Sequence, residues 1–230
     1  MHPLDNPIWQ ALHSADKRFR LGADPVAYFP EDVEPFAALP NWSVYNQQVL
    51  HDRLPPGRSW FSITAETIQF SPQWTIAVDM LLDQMVCTKI PDPLPSHASC
   101  RLLTQEDVPA MLTLTGKTKP GPFLANTIAL GNYHGVFVND ALAAMAGERL
   151  HLDDYTEISA VCTDPQHSGK GYAAFLVAKL ANMIAETGKT PFLHVRQDNT
   201  RAIQLYQQLG FEQRISPYFA IFRSKTLNRD

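Results

Sequence analysis

Between residues 98 and 225 the hydrophobic positions switch repeatedly between strand-like alternation and a spacing of three to four, the signature of a one-faced helix. Residues 101–103 read as a short strand. Thr104 and Asp107 form a Thr-x-x-Asp capping pattern before a helix carrying Val108, Met111, Leu112 and Leu114, and Lys119-Pro120-Gly121-Pro122 breaks it. A second short helix is expected over 124–130. Strands follow at 133–138 and 141–150, joined by the turn dipeptide Asn139-Asp140. A third, over 156–162, stops at Asp164-Pro165, because proline cannot donate to a ladder and restricts the residue before it. Phe175, Leu176, Ala178, Leu180, Ala181 and Ile184 mark a helix over 172–186, closed by Thr187-Gly188-Lys189. Residues 191–196 read as a buried strand, 200–209 as a helix ended by Gly210, and 211–215 and 218–223 as strands split by Ser216-Pro217. The predicted order is β-α-α-β-β-β-α-β-α-β-β.

The first 95 residues are less regular. Trp9, Leu12 and Phe19 suggest a helix after Pro7 that ends before Asp24-Pro25, and residues 26–29 look extended. Asn41 is placed to cap a helix through Trp42, Val44, Tyr45, Val49 and Leu50, closed by Pro55-Pro56-Gly57. Strands are expected at 58–64 and 67–70. Residues 74–88 form a long apolar stretch that fits a strand entering a helix or two strands. Three prolines within residues 90–96 read as a linker, which divides the chain into an N-terminal α/β lobe, 1–95, and a second domain, 96–230. The lobe's alternating strands and helices also suit a degenerate copy of the second half.

Composition narrows the partners. With 19 Lys+Arg against 23 Asp+Glu, a formal charge of -4 in 230 residues, there is no basic field to hold nucleic acid or an anionic membrane. No apolar run approaches the roughly 20 residues that span a bilayer, and residues 1–7 lack the pattern of a signal peptide. Cys87, Cys100 and Cys162 are too few and too irregular for a disulfide framework or a metal site, so the expectation is a cytoplasmic protein with reduced thiols and no metal. Cys162 reads as a small packed side chain.

Candidate chemistry lies in Gln166-His167-Ser168-Gly169-Lys170-Gly171, a glycine-bearing turn between strand and helix. The first amides of a helix lack intrahelical partners and the macrodipole is positive there, so an anion, most naturally a phosphate, is the expected ligand. The P-loop pattern does not fit, and the dinucleotide fingerprint fails at Ala174. This loop together with Asn199-x-x-Ala202-x-x-Leu205-Tyr206-x-x-Leu209-Gly210-Phe211 resembles the GCN5-related N-acetyltransferase (GNAT) superfamily, and within it the FR47-like group. The family's Arg/Gln-x-x-Gly-x-Gly/Ala falls on Ser168, Gly169, Lys170, Gly171, Tyr172 and Ala173, with Ser168 in place of the usual Arg or Gln.

The resemblance implies a mixed-sheet α/β fold and acetyl-coenzyme A as cosubstrate. It also implies a strand before the loop that splays from its neighbour, so that Val161 and Thr163 offer backbone groups to the pantetheine arm. Tyr206 matches the tyrosine that protonates the departing thiolate, and Asn199 lies near the coenzyme besides capping its own helix. Glu157 is the first candidate for a general base on the amine, with Glu148 and His194 behind it. The acceptor is expected to be an amine of a small molecule or a peptide, chosen by residues 117–126 and 216–218 and narrowed by the N-terminal lobe. Two other readings stay open: a catalytically weak acyl-coenzyme A-binding sensor, to which Ser168 points, and an ordinary nucleotide-binding protein. The residues do not decide between monomer and homodimer.

Overall fold

The computed structural model describes residues 2–55, 57–95 and 99–225; Pro56 of the predicted turn and Ser96 of the predicted linker lie outside the described residues. The amino-terminal part contains α1 (Pro7–His13), a small ribbon of β1 (Ala27–Tyr28) and β2 (Ala37–Ala38), α2 (Val44–Arg53), β3 (Trp60–Thr64) and β4 (Trp74–Cys87). Next come β5 (Ser99–Leu102), α3 (Val108–Thr118), β6 (Tyr133–Val138), β7 (Ala141–His151) and β8 (Tyr155–Thr163). The chain closes with α4 (Tyr172–Glu186), β9 (Thr190–Arg196), α5 (Thr200–Gln208), β10 (Phe211–Ile215) and β11 (Tyr218–Ser224). Nine strands make one mixed sheet in the order β3-β11-β4-β9-β8-β7-β6-β5, with β10 also on β4. The β8–β9 pair is parallel; the other pairs are antiparallel.

The expected division near residue 95 does not separate two sheets. β4 lies amino-terminal to it, yet β4 pairs with β9, β10 and β11 from the other side, and β3 pairs with β11. Nor does the first half repeat the order of the second: it contributes two helices, a two-stranded ribbon and two strands of the common sheet. Adjacent residues of a strand point to opposite faces. Leu193 packs with Leu176, Leu180 and Ile184 of α4, whereas Phe192 packs with Leu4, Ile8, Leu12, Phe29 and Phe36. The amino-terminal segment therefore covers the sheet face opposite α4. Each buried Leu or Phe in that contact contributes about 1.5–3 kcal/mol, enough to tie the two parts together whatever the linker's stiffness.

Local readings differ in four places. Residues 74–87 form one long strand, because β10 and β11 pair with successive stretches of it. No strand forms over 67–70: Gln47 Oε1 accepts from the Ser71 N–H and hydroxyl, and its amide donates to Gln69 O, so a side chain replaces the ladder. The helix expected over 124–130 shrinks to a 3-10 turn at Thr127–Leu130. Ser43 caps α2, while Asn41 accepts from the Ser43 N–H and the Asn46 side chain. Among the described residues no helix is long and apolar enough to cross a membrane.

Candidate active site

β8 and β9 are paired at Tyr155–Thr190, Thr156–Pro191 and Glu157–Phe192, and then part. Beyond that point β8 pairs with β7 and β9 with β4, so the parallel pair opens into a V whose vertex is Glu157 and Phe192. β8 also bulges. Two registers, Met145 with Cys162 and Gly147 with Ser159, leave one extra residue on β8, and Ala160 sits at φ +52°. A non-glycine residue held there stores about 1–3 kcal/mol, and such strain gathers at functional sites.

The turn after β8 is built by Asp164, whose carboxylate accepts from the Gln166 N–H (3.0 Å) and from Lys117 Nζ (3.2 Å). Gly169 and Gly171 take φ of +80° and +79°, a region that glycine enters without penalty. Gly171 is the N-cap of α4, yet no side chain caps this helix and its first turn carries no acid. The leading amides of a 15-residue helix are thus left for a ligand. The loop, the end of β8 and α5 enclose a cleft of about 480 Å³.

All ten residues expected to bind the coenzyme line that cleft: Val161, Thr163, Ser168, Gly169, Lys170, Gly171, Tyr172, Ala173, Asn199 and Tyr206. His167, Arg201 and Gln204 join them unforeseen, and among the described residues no acidic side chain does. The cleft therefore suits a polyanion such as a pyrophosphate. Asn199 caps α5, accepting from the Ala202 N–H at 3.2 Å. Tyr206 is buried beside Phe211, and burial, followed by the neighbouring Cys162, pushes its phenol up to about 12. It is protonated at neutral pH and able to act as an acid. Cys162 is buried as expected but also lines the cleft, with burial raising its thiol to about 11.

The candidate base is corrected. Glu157 is fully buried and does not line the cleft; its carboxylate accepts from Arg149 Nε (2.8 Å) and Nη2 (2.7 Å) and from His194 Nδ1 (2.7 Å). Burial alone would raise its pKa, but the Arg149 charge and hydrogen bonds overcome it and hold it near 2. A group so acidic does not take a proton from an amine at neutral pH. His194 has no free nitrogen, since Gln84 donates to Nε2 at 3.0 Å while its own Nδ1 donates to Glu157. Glu148 accepts from the Asn132 N–H (3.2 Å) and Nδ2 (3.1 Å) and contacts His151 Nε2 at 3.4 Å; these bonds outweigh burial and lower its pKa. Of the residues expected to select the acceptor, Asn126 bonds Asp32 at 2.7 Å and Phe123 packs edge-on to Tyr133, while Ser216 is tied to Asp83, Gln197 and Gln213. Among the described residues no group of three or more His, Cys, Asp or Glu is arranged to hold a metal ion.

The sequence profile of the FR47-like protein family matches residues 133–220. A crystal structure assigned to the GNAT acetyltransferase family, from Novosphingobium aromaticivorans, superposes with a TM-score of 0.90 at 29% identity, covering 98% of this chain and 100% of its own. An uncharacterized protein of Mycobacterium leprae is 28% identical over 214 residues, 85% of this chain; the chain spans 58% of that relative's length. The ribosomal protein bS18-alanine N-acetyltransferase of Salmonella typhimurium is 29% identical over 119 residues, 49% of this chain and 79% of its own length. Fold and relatives define an acyltransferase of the GNAT type. Residues 133–220 match the FR47-like family, and the fold is that of the GCN5-related N-acetyltransferase superfamily.

Proposed function

We propose that this acyltransferase moves the acetyl group of acetyl-coenzyme A to an amine of a small molecule or peptide by direct attack in a ternary complex. The observation that carries the reading is the coincidence of an uncapped helix N-terminus, free of acidic residues, with the open V between β8 and β9. The amides from Gly169 to Ala173 would hold the pyrophosphate, with Lys170 adding charge. Val161 and Thr163, at the bulged end of β8, would pair with the pantetheine arm. Acetyl-coenzyme A supplies an activated acyl carbon on a good leaving group. Tyr206 gives its proton to the thiolate as the carbon–sulfur bond breaks. Ser168 adds little to anion binding beyond its backbone.

The amino-terminal part, packed on the face opposite α4, would wall the acceptor side and restrict it to slender amines. The bS18-alanine acetyltransferase is a relative over about half of the chain, so alanyl peptides belong in any acceptor screen alongside small primary amines. Release of free thiol from acetyl-coenzyme A, followed with a thiol reagent across that screen, tests the reading. Thiol release that rises with one amine supports transfer. Tight coenzyme binding with only slow, amine-independent hydrolysis would instead support the sensor reading, to which Ser168 points.

A further inference from the structure

Two basic side chains flank Ser168, the residue that stands where the family's loop has Arg or Gln. Lys170 Nζ lies 3.0 Å from His167 Nδ1, and both residues line the cleft. An ammonium has only protons to give, so Nδ1 accepts, the imidazole in this contact is neutral, and its one N–H sits on Nε2. The backbone of His167 is fixed by its turn. It ends the 3-10 turn Pro165–His167, its N–H donates to Asp164 O (2.8 Å), and the Ser168 N–H donates back to Pro165 O (3.3 Å). Its ring stands 6.4 Å from that of Tyr172, the first residue of α4. The imidazole is therefore held beside the helix N-terminus whose amides are left for a ligand.

The groups around His167 leave it without an acid to pair with. Asp164, three residues earlier, gives one carboxylate oxygen to the Gln166 N–H (3.0 Å) and the other to Lys117 Nζ of α3 (3.2 Å). From the far wall α5 presents Arg201 to the same cleft. Cys162 and Tyr206 line it too, and burial raises their thiol and phenol to about 11 and about 12, so both stay protonated. The charged lining among the described residues is thus Lys170 and Arg201. A second positive charge only 3.0 Å from the Lys170 ammonium is disfavoured until an anion joins the pair.

We propose that His167 and Lys170 together clamp the coenzyme's pyrophosphate: the ammonium turns to the phosphates, and the Nδ1 it leaves takes a proton from solvent. This rests on the acyltransferase reading and adds to it a binding residue outside the family's loop pattern. Only a proton moves. Imidazole and buffer acid become imidazolium and buffer base. The loop so gains a second cation when the phosphates arrive, in place of the side chain that Ser168 lacks. Because the complex holds more protons than the free protein, binding is strongest at low pH. The advantage fades as the pH rises past the imidazole range, which lies near 6.5 for a free histidine and higher beside phosphate.

The test is isothermal titration calorimetry of acetyl-coenzyme A into the full chain and into His167→Gln, in buffers of different ionisation enthalpy at pH 7 and one ionic strength. The slope of heat against buffer ionisation enthalpy counts protons. The parent should take up about half a proton per ligand more than the variant. Between pH 6 and pH 8.5 the parent's affinity should fall by about three- to tenfold relative to the variant's, a comparison that cancels the titration of the ligand's own 3′-phosphate. Acetyl 3′-dephospho-coenzyme A, which lacks that phosphate and keeps the pyrophosphate, should give the same difference in proton uptake. Equal uptake in parent and variant overturns the proposal, and so does a difference that disappears with the dephospho ligand. A parent that does not bind acetyl-coenzyme A at any pH faults the acyltransferase reading itself, and the clamp falls with it. Should His167→Gln fail to fold, His167→Asn takes its place with the same outcomes.

Discussion

Arg149 on β7 grips Glu157 on β8 through two hydrogen bonds, Nε to Oε2 at 2.8 Å and Nη2 to Oε1 at 2.7 Å, with side chains 9% and 0% exposed. Bonds this short between buried partners fix both side chains. The pair pins β7 to β8 just before β8 leaves β9. Breaking it from one side leaves an uncompensated buried charge. Arg149→Met should therefore cost about 3–5 kcal/mol in urea unfolding, and Arg149→Met combined with Glu157→Leu should recover most of that. Because the Glu157 pKa is depressed from 4.5 to about 2 in the folded state, its contribution is present above pH 4.5 and is lost as the pH falls towards 2. The double variant should lack that acid-labile part.

His151 behaves in the opposite sense. Its Nδ1 meets Asp16 at 3.1 Å and its Nε2 meets Glu148 at 3.4 Å, and although burial opposes charge these two carboxylates raise its pKa from 6.5 to about 9. A raised pKa gives stability that is complete below 6.5 and disappears as the pH rises through 9. Unfolding free energies from urea titrations at pH 6 and pH 9.5 should differ by on the order of 2–3 kcal/mol more for the parent than for His151→Gln. Equal differences would mean that the imidazole is not charged in the folded protein.

Tyr206→Phe removes the proposed acid while leaving the ring in the cluster with Phe211 and Leu209. Turnover should fall by about 10²-fold, the lower end of what a positioned acid contributes, with the affinity for acetyl-coenzyme A unchanged within about twofold. An unchanged turnover with a good acceptor would remove Tyr206 from the chemistry.

How far the sequence carried the reading depends on the range of the interactions involved. The capping box at Thr104 and Asp107, the left-handed glycines at 169 and 171 and the α5 cap at Asn199 are local, and each forms where its residues predict. The long strand β4 was ambiguous, because its three partners lie more than 100 residues away and its apolar run suits strand or helix alike. The prolines over 90–96 said nothing about which sheet the strands on either side would join. Glu157 looked like a free strand carboxylate because nothing in its neighbourhood announces Arg149, eight residues earlier, as its partner across a bulged register.

Ser168 stands where the family places Arg or Gln, and it faces the cleft. Ser168→Arg should add a charge-assisted contact to the pyrophosphate and tighten acetyl-coenzyme A binding by about three- to tenfold. Surface plasmon resonance over a salt series would read it, with the gain shrinking as ionic strength rises. A weaker or unchanged affinity would mean that residue 168 does not face the pyrophosphate.

The central claim is that the uncapped start of α4 holds the coenzyme's phosphates. The direct measurement is isothermal titration calorimetry of acetyl-coenzyme A into the parent and into Gly171→Asp. At φ +79° an aspartate costs about 1–2 kcal/mol of strain, and its Cβ meets nothing within 4 Å, so the variant should still fold. Its carboxylate, however, would stand at the helix N-terminus in competition with the ligand. Micromolar binding by the parent, weakened at least tenfold in a variant with an intact melting transition, is the predicted result. Equal affinity in the two, or no binding by the parent, would contradict it.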